Sequence, residues 1–258
     1  MTPISNSPDL WRSVLPVPDH EAHKYHRGYV GIYAAPELTG ATRLAAAACN
    51  RIGAGLVSVV ATSRADVYRT CLPADIMVQS QRPEKADTGL AGSGGVTGDH
   101  MQEMLAGSHL KARVFDADAM PSMDQLSRLD ESCILTPHRG EFERVFGPIS
   151  ADFAAAASQA ARESGAIVVL KSADTIIAGP KGQLVCNSHA SPYLAKAGTG
   201  DVLAGLIAGL LAQNMPHFDA CCAAVWIHGE AAQRFGPGLI ASDIADLVPE
   251  ILQDLLAR

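Results

Sequence analysis

The sequence predicts an α/β fold built on a mainly parallel sheet with helices on its faces. Two observations predict it. Short apolar runs rich in β-branched residues recur along the 258-residue chain, and helix-forming stretches separate most of them, the alternation that parallel strands with crossover helices require. Hydrophobic residues make up 48% of the chain and charged residues 18%, a balance that allows a sizeable buried core.

In chain order, strands are expected at Tyr29 to Ala34, Leu56 to Ala61, Asp75 to Val78, Arg113 to Asp116, Cys133 to Thr136 and Ile167 to Lys171. Between the first two, Ala41 to Arg51 is made of strong helix formers and stops at Gly53-Ala54-Gly55, where glycine ends a helix readily. The segment "TIIAGPKGQLVC" has two short apolar runs around Pro180-Lys181-Gly182, the chemistry of a tight turn, and reads as a β-hairpin. From there the pattern is helical: Asp201 to Gln213, His217 to Phe235 and Ser242 to Leu256. No internal repeat, low-complexity tract or long linker interrupts the chain, so residues 1 to 258 are expected to form one domain.

Composition narrows the function. The formal charge of -7 and the lack of a Lys/Arg cluster argue against a nucleic-acid partner, which demands many phosphate neutralisations. A small-molecule ligand fits better. The start "MTPISNSPDLWRSVLPVPDH" has no basic segment followed by an apolar run, and the longest apolar stretch, Val202 to Ala212, is too short to cross a bilayer. A cytoplasmic protein with no membrane partner is therefore expected. The six cysteines include no CxxC pair and read as reduced core residues.

Candidate chemistry concentrates in "AKAGTGDVLAGLIAGLLAQ", residues 195 to 213. Gly198 and Gly200 let backbone N–H groups converge, and the helix that follows offers unpaired donors and the positive end of its dipole, so Gly198, Thr199 and Gly200 form a candidate phosphate turn. Asp201 beside it is a candidate base for a hydroxyl that attacks phosphorus. The alternative is an ordinary helix cap, a role that Asp also favours. In "ILTPHRGEFERVFG", His138 stands where a strand gives way to a helix, the edge at which open α/β sheets bind ligands; a loop histidine without a role is the alternative. "VVLKSADTIIAG" ends a buried strand in Lys171, which suits a phosphate or simply water. Asp116 and Asp118 of "VFDADAM" are candidates to shape the site or hold metal-bound water, or else are loop and cap carboxylates. "GLAGSGGVTGD" is a further glycine-rich turn, preceded by a segment that does not read as a strand.

Taken together, these segments resemble the ADP/ATP-dependent (S)-NAD(P)H-hydrate dehydratases, repair enzymes with a ribokinase-like fold. The resemblance runs in order through "HKYHRGYVGIYAA", "TGATRLAAAACNRIGAGLVSV", "VFDADAM", "LTPHRGEF", "VVLKSADTIIA", "AGTGDVLAGLIAGLLAQ" and "AAVWIHGEAA". It implies a three-layer sandwich with helices on both faces of the sheet. It also implies that Ala41, Gly94, His138 and Asp201 contact the hydrated NAD(P)H, and that Lys171, Ser172, Ala173, Asp174, Thr175 and Gly200 hold the adenine nucleotide. Asp201 would deprotonate the hydroxyl of the damaged ring, the glycine turn would stabilise charge at phosphorus, and Mg²⁺ with ADP or ATP would be required. A homo-oligomer, a tetramer by resemblance, and a separate or fused epimerase are implied as partners. The chain departs from the family pattern in three places: Gly92-Ser93-Gly94 replaces G-P-G, Ser172 follows Lys171 where glycine is common, and Lys196 stands where small or polar residues are usual. A small-molecule kinase of the same fold and a non-catalytic nucleotide sensor are the competing readings.

Overall fold

The computed structural model describes residues 2–107 and 109–257. In chain order the strands and helices are β1 (Ile4–Ser5), β2 (Tyr29–Tyr33), α1 (Thr39–Arg51), β3 (Leu56–Val60), α2 (Ala65–Cys71), β4 (Met77–Gln79), β5 (Thr88–Ala91), α3 (Gly98–Ala106), β6 (Ala112–Phe115), β7 (Cys133–Leu135), α4 (Arg139–Phe146), α5 (Phe153–Ser164), β8 (Ile167–Leu170), β9 (Thr175–Ala178), β10 (Leu184–Asn187), α6 (Thr199–Ala212), α7 (His217–Phe235) and α8 (Ala241–Ala257). One ten-stranded sheet takes the order β1-β10-β9-β8-β7-β6-β5-β2-β3-β4. Every pairing is parallel except the two made by β9, which runs against both β8 and β10.

Side chains alternate across the strands, as the two-residue period demands, and this alternation divides the interior into two cores. Val30, Ile32, Val114, Ile134, Ile167 and Val169 face the layer that holds α1, α6, α7 and α8. Their neighbours Tyr33, Phe115, Leu135, Val168 and Leu170 face the layer of α3, α4 and α5. Helices therefore cover both faces, and the architecture is the expected three-layer sandwich. α6 is buried almost throughout, from Val202 to Ala212, wedged between the sheet and its neighbouring helices.

The expected strands and terminal helices form, with ends that move by one or two residues. The correction lies at β5. Thr88–Ala91 is a fully buried strand between β2 and β6, although Thr-Gly-Leu-Ala is a poor β sequence. Burial on both faces decides its conformation, and small residues suit it because a Cβ at Gly89 would lie 2.8 Å from Met104 Sδ. A short first strand, β1, was also outside the expected set. The cysteines need a second correction, since Cys71 is exposed and Cys186 only half-buried, while the other four are buried. Among the described residues no helix is long and apolar enough to cross a membrane.

Candidate active site

Because β5, β6, β7 and β8 are parallel, their carboxyl ends share one edge of the sheet, the edge where such sheets bind ligands. Each delivers something there: the Gly92–Gly95 turn after β5, Asp116 after β6, Thr136 to His138 after β7 and Lys171 after β8. Asp116 is only 2% exposed. Its Oδ1 accepts from Thr136 Oγ1 at 2.7 Å and from Lys171 Nζ at 2.9 Å, so a buried carboxylate is both paired and hydrogen-bonded, as burial of a charge requires. The backbone holds Lys171 as well, since its N–H donates to Pro137 O at 2.8 Å.

The start of α6 enters this edge from the helix layer. Gly198 is the residue that caps α6 and adopts φ +92°, a left-handed conformation that L side chains resist. Asp201 is thus the third residue of the helix, and the cap position is filled by Gly198. The Thr199 hydroxyl closes the turn, its one proton facing Leu194 O and Lys196 O, each at 2.9 Å. Gly200 lies beside the lysine, because a Cβ there would stand 3.4 Å from Lys171 Nζ. Burial, followed by the charge of Asp116, pushes the Asp201 carboxyl up to about 6, against the lowering effects of Ser93 and Lys171. This happens at a helix N-terminus, where the dipole alone favours the carboxylate.

A cleft of about 820 Å³ opens on one side of this turn. Lys171, Ser172, Ala173, Thr175 and Gly200 line it together with Thr199 and His138, whereas Asp174 does not. Lys196 lines it too, exposed and with no carboxylate partner among the described residues. His138 caps α4 reciprocally with Glu141: its Nδ1 accepts from Glu141 N at 3.1 Å while His138 N donates to Glu141 Oε2 at 2.8 Å. Its side chain still leaves 60% of its surface exposed.

The remaining expected contacts lie at a second corner. A Cβ on Gly94, itself at φ +83°, would stand 2.7 Å from Ala41 Cβ and 2.6 Å from Leu38 O, so Ala41 and Gly94 are packed together. Ser93, next in the chain, points its hydroxyl at Asp116 Oδ2 at 3.5 Å and lowers the proton affinity of Asp201. Gly200 lines the cleft, and its neighbour Asp201 does not.

Sequence reasoning gave no role to two residues that the structure brings in. Ser93 sits in a turn whose composition says only that it bends. His228 of α7 is buried, lines the cleft and lies 2.9 Å from Thr199 O through Nε2. Burial pushes its imidazole down to about 4, so the ring is neutral at physiological pH and Nε2–H donates to that carbonyl. Asp118, in contrast, is exposed on a short 3₁₀ turn away from the buried set. Among the described residues no group of three or more His, Cys, Asp or Glu side chains converges on a metal position.

The family model described as NAD(P)H-hydrate dehydratase matches residues 32–253. A bifunctional NAD(P)H-hydrate repair enzyme of Moorella thermoacetica is 33% identical over 280 residues, covering 95% of this chain and 53% of that protein. An ADP-dependent (S)-NAD(P)H-hydrate dehydratase of Neisseria meningitidis is 40% identical over 151 residues, covering 52% of this chain and 51% of that one. The chain spans about half the length of the curated relatives it matches. The structure of the ADP/ATP-dependent NAD(P)H-hydrate dehydratase of Bacillus subtilis, co-crystallised with ATP/Mg²⁺, superposes with a TM-score of 0.86 at 26% identity, covering 99% of both chains. The fold is the ribokinase-like one. With the match extending from β2 into α8, the chain belongs to the NAD(P)H-hydrate dehydratase family.

Proposed function

We propose that the protein is a single catalytic domain that dehydrates (6S)-NAD(P)H hydrate to NAD(P)H at the expense of ADP or ATP. One observation carries the reading: a single acid, Asp201, whose proton affinity is raised to about 6, stands between a cleft that carries two lysines, Lys171 and Lys196, and the Ala41–Gly94 corner. The cleft is the place for the nucleotide, with Lys171, Ser172, Ala173, Thr175 and Gly200 along its phosphates and base, and the Ala41–Gly94 corner is the place for the hydrated ring, which His138 would meet from the cleft wall. Membership of the family and the ADP/ATP dependence named for the Bacillus relative support the choice of co-substrate.

In this reading Asp201 takes the proton of the ring hydroxyl as its oxygen bonds to the terminal phosphorus. The bond from phosphorus to the leaving nucleotide oxygen breaks, releasing AMP from ADP or ADP from ATP. Backbone N–H groups of the Gly198–Gly200 turn and the dipole of α6 stabilise the charge on the transferring group. The ring nitrogen's lone pair then expels phosphate from the carbon that carried the hydroxyl, and loss of a proton from the adjacent carbon restores the dihydronicotinamide. A raised proton affinity suits this base, since it becomes ionised just below neutral pH and still binds the incoming proton well. Mg²⁺ bound to the nucleotide would help to offset the charge of its phosphates.

Phosphorus NMR of a reaction with hydrated NADH and Mg-nucleotide tests the proposal. Orthophosphate formed in equal amount with NADH is the expected result. Accumulation of a stable phosphorylated product would replace the dehydratase by a small-molecule kinase, and nucleotide binding without turnover would replace it by a sensor.

A further inference from the structure

A buried histidine stands one peptide group away from the phosphate turn. His228 is carried by α7 and is 7% exposed, where the helix packs so closely on the loop after β10 that a Cβ at Gly229 would collide with His189 O. Its Nε2 lies 2.9 Å from Thr199 O in the first turn of α6. A carbonyl oxygen only accepts, so Nε2 carries the hydrogen, and in the neutral ring that burial favours Nδ1 carries none.

The C=O of Thr199 and the N–H of Gly200 belong to one planar peptide and point in opposite directions. That N–H is among the first four of α6, which find no acceptor within their own helix, and Gly200 lines the cleft beside Lys171 Nζ. The Thr199 hydroxyl anchors its residue separately, at Leu194 O and Lys196 O. The bond from His228 acts on the peptide plane itself, from outside α6. Holding the carbonyl fixes the direction of the N–H, and a hydrogen bond accepted by the oxygen polarises the amide at the other end of the peptide into a stronger donor.

We propose that His228 is a positioning residue for phosphoryl transfer: through its bond to Thr199 O it aims the Gly200 N–H at the transferring group and strengthens it as a donor. The ring itself exchanges no proton in the reaction. The inference rests on the Gly198–Gly200 turn receiving the phosphates.

The test uses the full chain with ¹⁵N-labelled glycine, the Gly200 amide being identified by its loss in Gly200→Ala. His228→Leu removes the donor, and His228→Gln supplies a side-chain amide that donates from about the same place. His228→Leu should move the Gly200 ¹⁵N resonance upfield, weaken ADP binding about fivefold with adenosine unchanged, and lower kcat about tenfold. His228→Gln should restore most of each. Nitrogen NMR of the parent histidines adds a reading that needs no variant to fold, and it should find His228 protonated at Nε2. Protonation at Nδ1 instead, a Gly200 resonance unmoved in His228→Leu, or equal weakening of ADP and adenosine overturns the proposal. Only kcat among these readings needs turnover, so a parent protein that fails to dehydrate its substrate counts against the proposed reaction, whereas an unmoved Gly200 amide counts against His228.

Discussion

Asp201→Asn is expected to make the protein more stable while stopping turnover. The Asp201 carboxyl keeps its proton up to about pH 6 in the folded chain instead of the ordinary 3.8, because burial and then the Asp116 charge disfavour its ionised form. Native Asp201 thus binds more protons than the unfolded chain between these two values, and stability falls as pH rises through that window. Above it, the ionised carboxylate costs the folded state about 2–3 kcal/mol. Asparagine has nearly the same volume and no charge, so it relieves most of that cost, and a chain of this length gains roughly 2–4 °C in Tm per kcal/mol. Thermal unfolding at pH 8 should place the variant about 4–10 °C above the parent, and the gap should close below about pH 4. A variant no more stable than the parent at pH 8, or a gain that is the same at every pH, would refute the claim that a strained charge is held at this position.

Two other substitutions separate the two sides of the site. Lys196→Ala removes the cleft lysine that, unlike Lys171, has no carboxylate partner among the described residues; titration calorimetry should show ATP and ADP binding weakened about tenfold and adenosine unaffected, and equal weakening of all three would assign Lys196 a structural role instead. Gly94→Ala places a methyl group 2.6 Å from Leu38 O and 2.7 Å from Ala41 Cβ at a backbone φ of +83°, so it should raise KM for the hydrated dinucleotide by an order of magnitude or more and leave nucleotide affinity within about twofold. The reverse pattern would exchange the assignments of cleft and corner.

Much of this architecture was legible in the residues because parallel strands buried on both faces are written as continuous apolar runs, as in "VVLK" and "CILT". β5 escaped because Thr-Gly-Leu-Ala carries no local strand signal; its conformation is imposed by β2 and β6 on either side. The glycine turn before α6 was legible for a different reason, since Gly198 needs a left-handed backbone that few other residues tolerate. What no local pattern could reveal was convergence. Ser93, Asp116 and Asp201 are separated by more of the chain than any periodicity spans, and only the order of the strands brings them together. His228 was equally invisible, because a histidine inside a small-residue helix signals nothing until Thr199 O is found at its Nε2. His138 shows the converse: its motif was plain, yet its most definite bonds are those that cap α4.

The central claim is that Asp201 starts a nucleotide-dependent return of hydrated NAD(P)H to the reduced cofactor. Its most direct test is the absorbance of reduced nicotinamide after mixing hydrated NADH, Mg²⁺ and either ADP or ATP with the parent protein and with Asp201→Asn, both shown folded by thermal unfolding. Recovery that requires nucleotide and falls by at least a hundredfold in the variant is the predicted result. No recovery from the parent with either nucleotide, or undiminished recovery from the variant, would contradict it.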